Sequence, residues 1–168
     1  RRRLLFAIGI TDQSWFEFLR RNRFDGIINF WTPSPWKINR LTYGDGFYFF
    51  LKNPIRKIAG GGCFFGYCEM TIQEAWNRYE NRNGCENFSG LKQIIREYKK
   101  NTLLGSQLLN HKIGCIELKN CKFLRNPRFI SPSRFNVEIP KNMQTFKYFV
   151  QDDRFSEYII EYGTDKDA

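Results

Sequence analysis

The sequence predicts an α+β fold, a strongly curved mixed sheet or small open β-barrel with flanking helices. Three observations lead there. Short apolar and aromatic runs recur along the chain, each closed by Gly, Pro or Asn, as strands are. Helical patterns are few and do not alternate with the strands, so a doubly wound parallel sheet is not expected. The 168 residues are 42% hydrophobic and include 17 Phe, 8 Tyr and 4 Trp, enough apolar surface for a real core. Residues 1–163 are expected to form one domain, with 164–168 a tail or the start of a linker.

Leu4 to Ile10 is a continuous apolar run and reads as a buried strand. Thr11 or Asp12 can cap the helix that follows, whose apolar face is Trp15, Phe16 and Leu19. Arg20, Arg21 and Arg23 stand at its end, where cations favour the helix dipole. Asp25-Gly26 turns the chain into a second strand, Ile27 to Trp31. Pro33 and Pro35 end it, because proline cannot donate to a ladder. A loop with Trp36, Lys37 and Arg40 leads to the turn Gly44-Asp45-Gly46 and the aromatic strand Phe47–Leu51. Ile58 to Glu69 is a further strand, and Gly60-Gly61-Gly62 marks a bulge or a close backbone approach.

Thr71-Ile72-Gln73-Glu74 is a capping box, so a helix starts there with Ala75, Trp76 and Tyr79 facing inward. Ser89 can cap a second helix, with Leu91, Ile94, Ile95 and Tyr98 inward. Ile113 to Leu124 is a long strand, bent or bulged at Asn120. Pro127 to Pro140 is expected as a structured loop, and Gln144 to Val150 as a strand or extended segment.

The charge is lopsided, with 27 Lys+Arg against 17 Asp+Glu and a net of +10. Such a domain attracts phosphate backbones or anionic membranes. No basic amphipathic membrane helix is present, and no apolar run nears the ~20 residues of a membrane span. Leu4–Ile10 is too short for a secretory signal core. The chain is therefore expected to be cytoplasmic, with nucleic acid as partner and no membrane. Five cysteines without a CxxC pair, and His111 as the one histidine, give no metal-ligand spacing, so neither metal nor cofactor is expected. His111 reads as an ordinary surface histidine. There is no P-loop and no GxSxG nucleophile elbow. Glu117-Leu118-Lys119 is the one nuclease-like pattern, a three-residue match that arises easily by chance.

The positive signal is Asn29-Phe30-Trp31-Thr32-Pro33-Ser34-Pro35-Trp36, followed by Lys37 and Arg40. A protein that inspects an unstacked base needs flat rings, polar groups for its edge and cations for the flanking phosphates. This segment offers all three. Strand residues alternate, so one of Phe30 and Trp31 faces the core. Trp36, between Pro35 and Lys37, is harder to bury.

Three stretches together resemble a known family. They are Gly9-Ile10-Thr11-Asp12 with Trp15-Phe16 and Phe18-Leu19; Ile28-Asn29-Phe30-Trp31 with Pro33-Ser34; and Gly44-Asp45 with Phe47 to Lys52, Pro54 and Ala59 to Gly62. Ile113-Gly114-Cys115-Ile116 fits the same pattern later. The resemblance is to the N-terminal domain of HNH-type, modification-dependent restriction endonucleases, a PUA-like domain grouped with SRA, EVE and YTH. It implies a reader of double-stranded DNA that flips a modified base into an aromatic pocket, with a separate C-terminal nuclease domain doing the cutting. The chain itself would then not be an enzyme. Pro35-Trp36 departs from the family's Pro-Ser-Gly continuation, so the resemblance does not fix which modified base is read.

On this reading Phe30, Trp31 or Trp36 stacks on the base, and Asn29, Thr32, Ser34 or Asp45 tests its edge. Lys37, Arg40, Lys52 and Arg56 hold phosphates. The alternatives are an RNA-binding module of the same fold, a metal-dependent nuclease using Glu117 and Lys119, and a protein-interaction module.

Overall fold

The computed structural model describes residues 4–22 and 24–163. Arg23 and the expected tail at 164–168 lie outside the described residues. The elements, in order, are β1 (Leu5–Thr11), α1 (Gln13–Asn22), β2 (Ile28–Thr32), β3 (Gly46–Leu51), β4 (Ile58–Thr71), α2 (Ile72–Tyr79), α3 (Phe88–Tyr98), α4 (Ser106–Asn110), β5 (Lys112–Phe123), β6 (Phe146–Val150) and α5 (Arg154–Tyr162). The six strands form one sheet in the order β2-β5-β4-β3-β1-β6. Only β1 and β3 pair in parallel; the other ladders are antiparallel.

The sheet is curled. Phe30 on edge strand β2 meets Phe47 on β3 with ring centroids 4.8 Å apart, although β5 and β4 lie between them in the ladder. Three strand spacings in a flat sheet would separate them by roughly 14 Å. The inner face of this open barrel holds Phe30, Phe47, Phe49, Leu51, Ile116 and Leu118, and α1 inserts Trp15, Phe16 and Leu19 among them. Trp15 stands edge-on to both Phe30 and Phe49. Gly9 is required at this closure, because a Cβ there would lie 2.6 Å from ring atoms of Phe30 and Phe47.

Two further clusters cover the outside. Phe6, Ile8, Tyr48, Phe50 and Ile58 pack under Phe135, Val137 and α5. Met70, Ile113 and Cys115 pack under α2 and α3. The capping box forms as expected: Thr71 Oγ1 accepts from the Glu74 backbone N–H, and Glu74 accepts from the Thr71 N–H. The cap of α3 is Asn87, whose side chain accepts from Gly90 N–H, and not Ser89, which falls inside the first turn. Asn120 takes a φ of 53° within β5, the left-handed kink its sequence position suggested.

The triple glycine serves close packing. A Cβ on Gly61 would strike the Tyr48 ring, and one on Gly60 would strike the Lys122 carbonyl. Gln144 to Val150 yields β6, which pairs antiparallel with β1. Helix α5 was not foreseen; Asp153 caps it, its side chain accepting from Ser156 N–H.

Candidate nucleic-acid interface

The sheet does not close by a ladder between its two edges. A seam remains between β2 on one side and β1 with β6 on the other. Side chains and the 33–45 loop fill it. Ile38 and Leu41 anchor the loop in the inner core. At the loop's start, Thr32 Oγ1 donates to the Ser34 carbonyl at 2.6 Å and Lys99 Nζ donates to Ser34 Oγ at 2.7 Å. His111 Nε2 lies 2.5 Å from the Pro33 carbonyl oxygen. This histidine is half-buried and pins the loop, so it is not the ordinary surface residue expected.

At one end of the seam is a small cradle. Its walls include Thr11, Asp12, Trp31, Lys52, Tyr98 and Thr145. Trp31 is half-buried, and its indole Nε1–H donates to the Asn83 carbonyl at 2.9 Å. Asn83 is itself fixed by its side-chain bonds to the Ala75 and Glu80 carbonyls. The ring of Trp31 is thereby held by the turn that follows α2. Tyr98 stands edge-on to it, centroids 5.9 Å apart. The Tyr98 hydroxyl donates to Asp12 Oδ2 and accepts from Lys52 Nζ at 2.5 Å. Lys52 Nζ also lies 2.9 Å from Asp12 Oδ1. Burial, then the adjacent Asp12 carboxylate, push the Tyr98 phenol far above its ordinary range, so it stays a donor.

Lys52 and Asp12 side chains are 37% and 36% exposed. An ion pair this open contributes at most about 1 kcal/mol to stability. It is cheap to break, and both partners can turn to a ligand. The cavity itself measures about 50 Å³. That is room for one or two water molecules.

Beside the cradle the loop offers a second ring. Trp36 is 48% exposed and packs edge-on against Phe146, next to Thr145 of the cradle wall. Arg40 lies over the Tyr148 ring at 4.9 Å, and Lys37 is exposed.

The sequence-predicted site residues thus divide. Trp31, Lys52, Ser34 and Trp36 come together at the seam, with Lys37 and Arg40 on the same loop. Asn29, Phe30 and Thr32 are buried, at 0%, 4% and 2% exposure. Asn29 Nδ2 is spent on Asn83 Oδ1 at 2.8 Å, and Phe30 belongs to the inner core. Phe30 and Thr32 nevertheless line the cradle beside Trp31, whereas Asn29 takes no part in its lining. Asp45 lies at the opposite end of β3 from Lys52, roughly 20 Å along the strand. Its carboxylate accepts from Thr42 N–H at 2.9 Å and holds a turn. Arg56 sits in a left-handed turn at φ 47° and faces the other way, donating to the Ile139 carbonyl and lying over Phe50. Sequence reasoning missed Tyr98, placed among the inward residues of α3, and Asp12, placed as a cap.

The nuclease-like pair is differently employed. Glu117 is 6% exposed; its Oε2 accepts from the Tyr79 hydroxyl at 2.5 Å and lies 3.2 Å from Arg78 Nε. Lys119 Nζ lies over the Phe65 ring at 4.8 Å. Among the described residues, no three His, Cys, Asp or Glu side chains come together as a metal-ligand group, and no helix is long and apolar enough to cross a membrane.

No protein-family model and no curated protein matches the chain. Solved structures do. The crystal structure of ASCH from Zymomonas mobilis matches with a TM-score of 0.56 at 12% identity, over 95% of this chain and 96% of that one. Two single-residue mutants of the same protein match with TM-scores of 0.60 and 0.58 at 10% and 9% identity, each over 95% of this chain and over 99% and 96% of theirs. The fold is PUA-like. At such low identity the likeness concerns the fold alone. In this PUA-like chain the open seam, not the ladder, is where side chains of several elements converge.

Proposed function

We propose that this PUA-like chain is a nucleic-acid-binding module that takes one unstacked base into the seam cradle. The observation that carries this is the convergence of Trp31, Tyr98 and the exposed Lys52–Asp12 pair, beside exposed Trp36. When Tyr98 turns outward, the base lies on Trp31. Lys52 and Asp12, released from Tyr98, then supply a donor and an acceptor to its edge. Trp36 stacks on a neighbouring base, and Lys37, Arg40 and Lys99 meet phosphates.

Single-stranded RNA is the first reading. A single strand offers unstacked bases outright, whereas flipping a base from duplex DNA costs a few kcal/mol that this small cradle would have to repay. The second reading is a modified base in duplex DNA, with the chain directing an associated nuclease domain and not cutting by itself. What supports it is that the three stretches resembling restriction-endonuclease reader domains supply Thr11, Asp12 and Trp15, then Trp31 and Pro33, and then Lys52, all lining one cradle.

The test is binding at about 150 mM salt, where nonspecific phosphate attraction is partly screened. The probes are single-stranded RNA and DNA of one sequence, and duplexes that are unmodified or carry one 5-methylcytosine, 5-hydroxymethylcytosine, N4-methylcytosine or N6-methyladenine. Tightest binding to RNA supports the first reading. A preference for one modified duplex establishes the second and names its base. Binding to none of them overturns both.

A further inference from the structure

We infer that a basic cleft on the far side of the α1 N-terminus holds the phosphate backbone of the strand whose base enters the cradle. This inference rests on the cradle reading and extends it. The cleft is a cavity of about 580 Å³, open along one side. Gln13, Glu17 and Arg20 of α1 line it together with Lys57, Arg125 and Phe129. Its lining carries three cations and one carboxylate. Glu17 accepts two bonds from Arg20, at 2.8 and 3.0 Å, so those two charges offset each other and Lys57 and Arg125 supply the net positive charge of the lining.

Two features tie the cleft to the cradle. Asp12 of the cradle is followed directly by Gln13 of the cleft. Lys52 of the cradle and Ile55 of the cleft floor are the ends of one tight turn, where Ile55 N–H donates to the Lys52 carbonyl at 3.1 Å. The ends of such a turn lie within about 7 Å. From Gln13 to Arg20 the cleft then runs about 10 Å along α1, the axial rise of roughly three stacked nucleotides. A strand leaving the cradle past Lys52 therefore reaches Lys57 and Arg125 without a detour.

The structure also sorts the basic residues that follow β5. Arg128 and Arg134 lie on the rings of Tyr162 and Tyr158, at 4.1 and 5.3 Å. Arg125 lines the cleft instead. Lys57 and Arg125 are both exposed, so replacing them does not disturb the core.

The experiment measures binding of a labelled single-stranded RNA of about ten nucleotides across a salt series from about 50 to 200 mM. Each phosphate contact on a single strand contributes about 0.7 to the slope of log affinity against log salt. Lys57→Ala and Arg125→Ala should each lower that slope by about 0.7. Lys112→Ala, which removes an equal charge at the other end of β5, should leave it unchanged. Unfolding midpoints confirm that all three variants fold.

The same RNA with an abasic site separates this inference from the cradle reading. If base dependence is absent but the slopes fall at Lys57 and Arg125 alone, the cradle reading fails and the cleft stands. If base dependence is present and the slopes do not change, the cleft inference is overturned. A drop of equal size for Lys112→Ala also overturns it, since binding then answers only to net charge. No salt-dependent binding by the wild type removes both.

Discussion

The chain builds the same small motif twice, a tyrosine hydroxyl donating to an aspartate, and puts it to different uses. Tyr48 and Asp153 are both about 3% exposed. Asp153 there also caps α5, so the pair ties the C-terminal helix to the sheet. Tyr98 and Asp12 lie at the seam with Lys52, and Tyr98 is 38% exposed. Burial, then the charge of Asp153, raise the Tyr48 phenol well above its ordinary range, and Tyr98 is raised by the same two causes with Asp12. The titration shift therefore does not distinguish scaffold from site. Solvent access and an added cation do. A sealed pair is worth its full hydrogen bond to the fold, while an open one is screened and can be traded for a ligand.

The largest expected effect separates the two motifs by stability. Asp153→Ala removes a helix cap worth about 1 kcal/mol and strands a buried phenol at a further ~1–3 kcal/mol. Chemical unfolding should show a loss of roughly 2–4 kcal/mol, with base dependence kept in the folded fraction. Asp12→Ala should cost less than about 1 kcal/mol in the same assay. Equal losses at the two aspartates would show that both motifs are structural.

Next comes affinity. Trp31→Ala should weaken binding of a base-bearing strand by ~1–3 kcal/mol, or roughly 5- to 150-fold, measured by fluorescence anisotropy. Tyr48→Phe should leave that affinity unchanged in the folded protein. Smaller is Trp36→Ala, a surface change expected to move stability by no more than about 0.5 kcal/mol. It should reduce preference for a base over an abasic site more than it reduces overall binding. If that preference survives in both tryptophan variants, the stacking assignment is wrong.

Smallest is the response of the thiols. Burial pushes Cys115 up to about 12 and Cys85 to about 11, which keeps both protonated near neutrality. Mass spectrometry after brief alkylation of the native protein should find both unmodified. Rapid labelling of Cys115, which packs beneath Trp31 in the α2–α3 cluster, would mean that the wall behind the cradle opens.

What the sequence made legible follows the reach of each signal. The Thr71–Glu74 box and the alternation of Phe30 and Trp31 are local, and both set structure as their spacing requires. Trp36 was legible because it stands between Pro35 and Lys37, which keep it from a ladder. Tyr98 was not. It falls on the inward stripe of α3, but it is the helix's last residue, and there the stripe runs past the core to the seam. Asp12 was hidden by its resemblance to a cap, and its partner Lys52 lies 40 residues away. Asp45 and Arg56 fall outside the cradle because the turns that flank β3 carry them elsewhere, Asp45 onto the Thr42 N–H and Arg56 onto the Ile139 carbonyl, and the long-range contact of Arg56 does not show in the local sequence. Helix α5 carries its cap at Asp153, but its apolar face, Phe155 and Ile159, gains meaning only from the outer sheet face it covers.

The most direct measurement compares one single-stranded oligonucleotide with its abasic counterpart at about 150 mM salt, against wild type and Trp31→Ala. A base stacked in the cradle predicts at least about fivefold weaker binding of the abasic strand to the wild type, with the gap closed in Trp31→Ala. Equal affinity of the wild type for both strands would contradict the account and leave the seam as closure alone.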